Sequence, residues 1–505
     1  MAVETELKLR IAPEQLARLK RHPLLKMHQV TRPVTRRLYN IYYDTPKLEL
    51  HRAAMALRLR RAGRQWLQTL KGGGEVKAGM HQRNEWEVPV RRAALDFSMP
   101  DAAEWDEYLP LPLRKKLQPV FVTDFSRNSR MLDWQGAQIE LCIDRGEVFT
   151  ERHSTPICEL ELELKAGEPQ QLFELALALL DIVPLELESI SKAERGYRLL
   201  SGYSDKPAKG AMPDFAKTDT LANVLQKLIW SCLAHLQNNL HGMMGGDDAE
   251  YLHQVRVALR RLRVLLRMAE KFCADAQLSE LIKDIAGLCV YLGRVREWDV
   301  FIGQTLQPMR ARMAGHAGLQ AVLTVSERRR DARYAELRSM AQARELQRLM
   351  LRFALWMNGP YWQQQDKAAP LARDFASRHL RKLAKRFARS GQGLDSADAA
   401  QLHALRIIVK KLKYSVEFFA MLYRKQKAQA HLAALSEIQE VLGQINDVAV
   451  AHRLLDELAV MPELLAHQEA LASVKGWIAH ELSRLLTMLR NAIRHFDKQP
   501  AFWGG

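Results

Sequence analysis

Segments in which charged and apolar residues alternate recur through the first 200 residues of the chain. Residues 4–8 read Glu-Thr-Glu-Leu-Lys, and residues 159–165 read Glu-Leu-Glu-Leu-Glu-Leu-Lys. Successive side chains of a β-strand point to opposite faces, so each segment predicts a strand with one ionic and one mostly apolar face. One such strand would ordinarily turn its charges to water. Several together, bearing both carboxylates and cations, predict a barrel whose polar interior could hold a metal ion and a polyanion.

The chain is predicted to be an α+β multidomain protein. Roughly eight strands are predicted, at residues 4–10, 36–44, 55–61, 65–71, 83–90, 120–132, 137–144 and 157–165. They would form a β tunnel domain over residues 1–202, followed by a linker at 203–218 that is rich in glycine and proline. Residues 219–500 show helical periodicity and few glycines, which predicts an all-α domain.

The helical half contains an internal repeat with an offset of 150 residues. His253, Arg256, Arg260 and Arg263 recur as His403, Arg406, Lys410 and Lys413. Leu292-Gly293 recurs as Leu442-Gly443 at the same offset. The repeat predicts a double helical bundle, built as two four-helix-bundle-like units.

Charge is unevenly distributed between the two halves. The formal net charge is +17, of which residues 1–200 contribute +3 and the remainder +14. Spacings of three and four residues place the basic residues of each repeat on one helical face, where like charges repel one another. An anionic partner would relieve that repulsion, so the second half is predicted to bind a polyanion.

The cysteines and the apolar segments indicate the cellular compartment in which the protein is expected. Five cysteines, Cys273 among them, show no close pair of the kind that binds zinc, which favours a reducing environment. No uncharged segment approaches the ~20 residues that span a bilayer. We therefore expect a cytoplasmic protein with no membrane partner.

The charged motifs of the first half occur in an order that resembles a known family. The motifs are Glu4-x-Glu6-x-Lys8, Tyr42-Tyr43-Asp44-Thr45, Arg58-x-Arg60, Thr69-Leu70-Lys71, Arg83-x-Glu85-x-Glu87, Glu161-x-Glu163 and Ser191-Lys192. They resemble the CYTH superfamily of triphosphate tunnel metalloenzymes. This resemblance implies an eight-stranded antiparallel tunnel, a divalent metal and a substrate with a linear triphosphate.

The resemblance also implies roles for individual residues. Metal ligands that also orient the attacking water would be Glu4, Glu6, Glu161 and Glu163, and the cofactor would be Mg²⁺ or Mn²⁺. The triphosphate would be bound by Lys8, Arg58, Arg60, Lys71, Arg83, Arg127 and Lys192. The catalytic set would be Glu4, Glu6, Lys8, Arg58, Arg60, Lys71 and Lys192.

Three points in this assignment stay open. Glu159 belongs to the same alternation, so the metal-binding pair could shift by two residues. Arg130 lies close to Arg127 and is an alternative to it, and further candidates for supporting roles are Glu85, Glu87 and Asp144. His22, His51 and His81 are interpreted as surface residues.

The helical half resembles the CHAD domain, a module often attached to CYTH domains and associated with inorganic polyphosphate. The resemblance rests on the His-x-x-Arg-x-x-x-basic-x-x-basic pattern of both repeats. It implies that polyphosphate would be bound by His253, Arg256, Arg260, Arg263, His403, Arg406, Lys410 and Lys413. We expect polyphosphate rather than nucleic acid as the partner, and the oligomeric state is not predicted.

The function expected from both resemblances is metal-dependent hydrolysis of inorganic triphosphate to pyrophosphate and phosphate. One group of alternatives is hydrolysis of thiamine triphosphate or of a nucleotide triphosphate, or cyclisation of ATP. The other is a non-catalytic scaffold that binds polyphosphate without cleaving it.

Overall fold

A computed structural model describes residues 2–98, 105–106, 108–203, 205–246, 248–272, 275–313, 315–342, 344–364, 370–391 and 398–503. Cys273 lies outside the described residues. The chain forms two compact units. The first comprises Met1–Lys206 and Gln342–Gly359, and the second comprises Pro207–Ala341 and Pro360–Gly505.

The first unit is a closed antiparallel β-barrel, which confirms the predicted fold of this half. Its strands are β1 (Ala2–Arg10), β2 (Val34–Asp44), β3 (Met55–Ala62), β4 (Gln65–Lys77), β5 (Met80–Val90), β6 (Gln118–Trp134), β7 (Ala137–Phe149) and β8 (Ser154–Ala166). Their order around the barrel is β5-β4-β3-β2-β6-β7-β8-β1, and pairing between β5 and β1 closes it. A two-residue strand, β9 (Glu186–Leu187), pairs with the end of β1.

The register of the strands brings the ionic faces together inside the barrel. Lys8 of β1 lies opposite Glu161 of β8, and Glu4 lies opposite Arg83 of β5. Residues opposite each other in an antiparallel pair share a face. The intervening residues, such as Leu7 and Leu162, are fully buried on the other face. The predicted alternation therefore separates a charged interior from an apolar exterior.

The exterior of the barrel is covered by apolar packing. Leu57, Leu70 and Trp86 form one cluster with Trp105 and Leu109. Burial of large apolar side chains contributes roughly 1.5–3 kcal/mol for each residue. Such clusters hold the strands in place and offset the cost of confining many charges within the barrel.

The α-helices follow in chain order. They are α1 (Leu16–Arg21), α2 (Pro23–Met27), α3 (Glu49–Arg52), α4 (Leu111–Arg114), α5 (Gln170–Ile182), α6 (Lys192–Ser201), α7 (Leu221–Gly245), α8 (Ala249–Ala269), α9 (Ala276–Val300), α10 (Gln307–Arg312), α11 (Ala317–Gln342), α12 (Glu345–Met357), α13 (Pro360–Gln364), α14 (Ala372–Ser390), α15 (Ala399–Phe419), α16 (Lys425–Ala459) and α17 (Gln468–Asp497). No helix among the described residues combines the length and apolar composition that crossing a membrane requires.

The regular elements described in the second unit are all helices, as predicted, apart from an isolated β-bridge between Thr220 and Leu371. Helices α8 and α15 carry the repeated basic residues, and each has 21 residues. Each packs against the helix that follows it, α9 and α16 respectively, and α8 also packs against α15. Asp248 caps α8 by accepting a hydrogen bond from Glu250 N–H, and Asp398 caps α15 by accepting one from Gln401 N–H, so both basic helices begin with an aspartate cap.

Candidate active site and basic cavity

The barrel encloses a cavity of about 270 Å³ whose walls are mostly ionic. All eleven residues predicted for metal or triphosphate binding line it: Glu4, Glu6, Lys8, Arg58, Arg60, Lys71, Arg83, Arg127, Glu161, Glu163 and Lys192. They come from six strands and from the first residue of α6. Residues far apart in sequence thus meet in one enclosed space, where charges interact more strongly than they do in bulk water.

Three of the cations that line the cavity converge on Glu161. It forms ion pairs with Lys8 and Arg127, and its Oε1 lies 2.9 Å from Lys192 Nζ. Burial alone would raise the pKa of Glu161, but Lys192, Lys8 and Arg127 outweigh burial and hold that pKa well below its usual value. Glu161 is therefore ionised throughout the physiological pH range.

Three carboxylates close to Lys192 form a buried acidic cluster. Asp144, Glu159 and Glu161 each offer an oxygen within 4.8 Å of the others. Lys192 Nζ lies 2.6 Å from Asp144 Oδ2 and also pairs with Glu159. Arg127 makes a two-pronged contact with Asp144, Nε to Oδ1 at 2.8 Å and Nη2 to Oδ2 at 2.6 Å. Like charges packed this closely are tolerated because each carboxylate has a cationic partner.

The acidic cluster and the predicted metal ligands share only Glu161. Glu4, Glu6 and Glu163 line the cavity, and each pairs with a different lysine: Lys71, Lys8 and Lys165. Both sets supply carboxylate oxygens, the donors that Mg²⁺ and Mn²⁺ prefer. The donor chemistry of the cavity thus fits a hard divalent cation, and Glu161 belongs to both sets.

The opposite part of the cavity is dominated by arginines. Burial, together with Arg58 and Arg127, lowers the pKa of Arg60 to about 10. Arg60 Nε donates to Asn40 Oδ1 at 2.8 Å, while the buried Nε of Arg58 has no hydrogen-bond partner among the described residues. A guanidinium surrounded by other cations is most stable beside an anion. This side of the cavity therefore favours a phosphate-bearing ligand.

Lys192 reaches the cavity because α6 is anchored to β2. Ser191 caps the helix by accepting a hydrogen bond from Glu194 N–H at 3.2 Å. Tyr197 O–H donates to Asp44 Oδ2 at 3.0 Å, and Asp44 is fully buried. Burial and the Asp44 carboxylate both raise the pKa of Tyr197, so it stays a neutral donor. The anchor fixes the direction in which α6 presents Lys192.

Several residues of the site were missed or assigned wrongly from the sequence. Arg195, one helical turn after Lys192, pairs with Glu159 and is a further cation of the acidic cluster. Arg195 could have been identified from its position three residues after Lys192, which is about one helical turn. His81, interpreted as a surface residue, is buried at 1% exposure, and burial together with Lys8 lowers its pKa to about 3. Its place in the Arg83, Glu85, Glu87 alternation could have shown that it faces inward.

The second unit contains a larger cavity of about 1450 Å³. Among the described residues that line it, fourteen are lysine or arginine and four are aspartate or glutamate. Six predicted polyphosphate residues line this cavity: Arg256, Arg260, Arg263, His403, Arg406 and Lys410. His253 and Lys413 are not among the lining residues, and Lys413 Nζ lies 3.8 Å from Glu417 Oε1.

Other cations enlarge this cavity beyond the repeated pattern. They include Lys271, Arg296, Lys382, Arg386 and Arg453, from the turn after α8 and from α9, α14 and α16. Two of them, Lys382 and Arg386, could have been identified from the densely basic sequence of α14. Positions on several helices converge here only after folding, so the repeat alone could not identify the full set.

Mutual repulsion within the basic cavity is visible in the pKa values. Burial and Arg260 lower the pKa of Arg256 to about 10. Burial, Arg260 and Arg406 lower the pKa of Lys410 to about 6. Arg256 is held by donating from Nη1 to the carbonyl oxygen of Cys289 at 3.2 Å. The cavity is thus a fixed arrangement of cations whose charge an anion would neutralise.

Fold and sites together define a class: a barrel with an ionic interior, joined in one chain to a helical domain with a basic cavity. Comparison with known families identifies both parts. The CYTH domain family matches residues 2–197, and the CHAD domain family matches residues 227–456. The chain therefore contains a CYTH domain followed by a CHAD domain, as the resemblances implied.

Individual relatives cover different parts of the chain. The inorganic triphosphatase of Haemophilus influenzae is 34% identical over 202 residues, which is 39% of this chain and 55% of that protein. An uncharacterized protein of Mycobacterium tuberculosis is 25% identical over 458 residues, 86% of this chain and 84% of that protein. The crystal structure of the CHAD domain from the plant Ricinus communis has a TM-score of 0.50 at 30% identity. It covers 59% of this chain and 100% of that structure.

Proposed function

We propose that the barrel hydrolyses inorganic triphosphate to pyrophosphate and phosphate with the help of a divalent metal. One observation carries the proposal: eleven charged residues matching the triphosphate tunnel pattern line one enclosed cavity of about 270 Å³. The similarity to an inorganic triphosphatase over the barrel part of the chain supports it. The enclosed, ionic walls favour a small linear polyanion.

The residues of the cavity would act by binding, orienting and neutralising the substrate. In the reaction, a water oxygen bonds to the terminal phosphorus, the bridging P–O bond breaks, and the pyrophosphate keeps the electron pair while the water releases a proton. Arg58, Arg60 and Arg83 would bind phosphate oxygens through their planar guanidinium groups. Lys8 and Lys192, held by Glu161, would stabilise the negative charge that develops on the leaving pyrophosphate.

A divalent cation would be held by carboxylates of the cavity, with Glu161 the residue common to both candidate ligand sets. When bound, Mg²⁺ or Mn²⁺ would neutralise phosphate charge and make water a better nucleophile.

Phosphate release tests this proposal directly. The full chain is expected to release phosphate from triphosphate in the presence of Mg²⁺ and to lose this activity when a chelator removes the metal. Thiamine triphosphate and ATP should be cleaved far more slowly, because the cavity has few aromatic walls on which a ring could stack. If either compound were cleaved faster than inorganic triphosphate, that compound would be the substrate instead. Binding of triphosphate with no metal-dependent product would instead support a non-catalytic scaffold.

We also infer that the helical domain binds inorganic polyphosphate in its basic cavity. The excess of cations over carboxylates on the walls supports this inference, and so does the way the arginines depress the pKa of Lys410. A flexible chain of phosphates can follow such a cavity without a fixed groove geometry. Double-stranded nucleic acid carries its charges on a wide, stiff helix, so polyphosphate is the better match.

Polyphosphate binding is expected to take up protons. Lys410 has a pKa of about 6 in the free cavity, so at pH 8 it is mostly neutral. A bound polyanion favours the charged amine and raises this pKa, so Lys410 should take up about 1 proton as the complex forms. Affinity should therefore fall as the pH rises above 6. Calorimetry at pH 8 in two buffers of different ionisation enthalpy measures the uptake.

Two variants test whether Lys410 is the residue that takes up the proton when polyphosphate binds. Lys410→Met should remove most of the uptake, whereas Lys425→Met, at an exposed position on α16, should leave it unchanged. Undiminished uptake in Lys410→Met would contradict the assignment.

A further inference from the structure

Helix α12 belongs to the barrel unit although α11 and α13, its neighbours in sequence, belong to the helical unit. It packs against α5, on the outside of the barrel. Leu349, Met350, Phe353 and Met357 are among its buried residues. The chain thus leaves the first unit near residue 206, returns for residues 342–359 and leaves again.

Three polar contacts fix the position of α12. Arg344 Nη1 donates to the carbonyl oxygen of Asp181 at 2.8 Å, and Arg348 Nη2 donates to Asp181 Oδ1 at 2.7 Å. These two contacts hold the helix at the end of α5. The third involves a different element: the backbone N–H of Leu187, in β9, donates to Gln347 Oε1 at 3.0 Å. Gln347 therefore joins α12 to β9.

The segment that follows Leu187 leads directly into the cavity. Leu187 pairs with Leu9, the residue after Lys8, and Glu188 N–H donates to the carbonyl oxygen of Lys8 at 2.9 Å. The Glu188 side chain accepts hydrogen bonds from Ile190 N–H at 2.9 Å and from Arg10 Nη2 at 3.0 Å. Lys192 follows within four residues. The path from Gln347 to both cavity lysines is thus a short chain of hydrogen bonds and covalent bonds.

We propose that Gln347 is a positioning residue for Lys8 and Lys192, so that a helix encoded within the CHAD half completes the triphosphatase centre. The inference rests on the proposed function of the barrel. Gln347 is not among the described residues that line the cavity. It holds β9 against the end of β1, and β9 in turn fixes the backbone on which both lysines stand. Small displacements of charged groups in an enclosed site are costly, since misplacement by 1 Å can slow a reaction by up to about 100-fold.

Two substitutions at this position separate positioning from bulk packing. Gln347→Met keeps the length of the side chain and removes the acceptor for Leu187 N–H. Gln347→Glu keeps an acceptor oxygen at the same place. In the full chain, Gln347→Met is expected to lower kcat for triphosphate about tenfold with KM changed by less than about twofold. Gln347→Glu is expected to stay within about twofold of the wild type.

A third variant controls for loss of stability. Arg348→Met removes one of the two contacts with Asp181 but leaves the Arg344 and Gln347 contacts in place, so it should lower Tm without lowering kcat. Hydrogen exchange at the Leu187 amide should accelerate in Gln347→Met alone. Equal kcat values in the wild type and Gln347→Met would overturn the inference, as would equal losses in Gln347→Met and Gln347→Glu. An inactive wild type would instead overturn the proposed function, so the two failures are distinct.

Discussion

A Glu161→Gln variant is expected to lose triphosphate hydrolysis by about 10²–10³-fold, because several kcal/mol of charge stabilisation in the transition state depend on this carboxylate. Glu161 pairs with Lys8, Arg127 and Lys192 at once. A neutral amide would neither fix the three cations nor serve as an anionic ligand for a divalent metal. Initial rates of phosphate release at saturating Mg²⁺ measure the effect.

The matched control for this variant is Glu147→Gln. Glu147 belongs to β7, as Asp144 does, but it is exposed. Its loss should leave the rate within about twofold of the wild type, since surface substitutions of this kind rarely change stability by more than about 0.5 kcal/mol. If Glu161→Gln kept more than a tenth of the wild-type rate, this carboxylate would not be at the centre of the reaction.

Charge reversal at Arg256 and Arg260 is the second variant for which a large effect is expected. The double change to glutamate should weaken polyphosphate binding by at least about 100-fold, since each lost contact to a charged group is worth about 1.5–3 kcal/mol. The slope of log affinity against log salt should fall by about 2, because two phosphate contacts disappear. Triphosphate turnover should stay unchanged, because neither arginine lies in the barrel.

A control with the same change in net charge is available on α16. Lys425→Glu together with Lys427→Glu alters two exposed lysines that do not line the basic cavity. This pair should bind polyphosphate almost as the wild type does. Equal losses in both double variants would show that overall charge, rather than the cavity, governs binding.

The barrel could be predicted because its sequence pattern is local. Alternation at Glu4, Glu6 and Lys8 places each side chain on a face, and a run of such strands with one ionic face can be buried only around a polar interior. The residues of the ionic face were therefore identifiable one by one. Their partners were not, because pairings such as Lys8 with Glu161 depend on strand order and register.

Features that depend on distant parts of the chain escaped prediction. Glu159 and Glu161 share one alternation in the sequence, but their meeting with Asp144 depends on the pairing of β7 with β8, which no local spacing shows. Helix α12 has the pattern of one more amphipathic helix of the CHAD half, and its place in the barrel unit depends on its packing and polar contacts with distant elements such as α5. The basic cavity was predicted in part, since its repeated arginines share a helix face while its other cations come from separate helices.

Closure of the barrel by β1 has a consequence for synthesis of the protein. On the ribosome, β1 is made well before β8, its partner on one side, because roughly 150 residues separate Glu6 from Glu163. Until β8 emerges, the backbone groups on one side of the strand that bears Glu4, Glu6 and Lys8 lack their partners. Contacts between such distant segments form slowly. The ionic cavity should therefore be among the last features to form in a newly translated molecule.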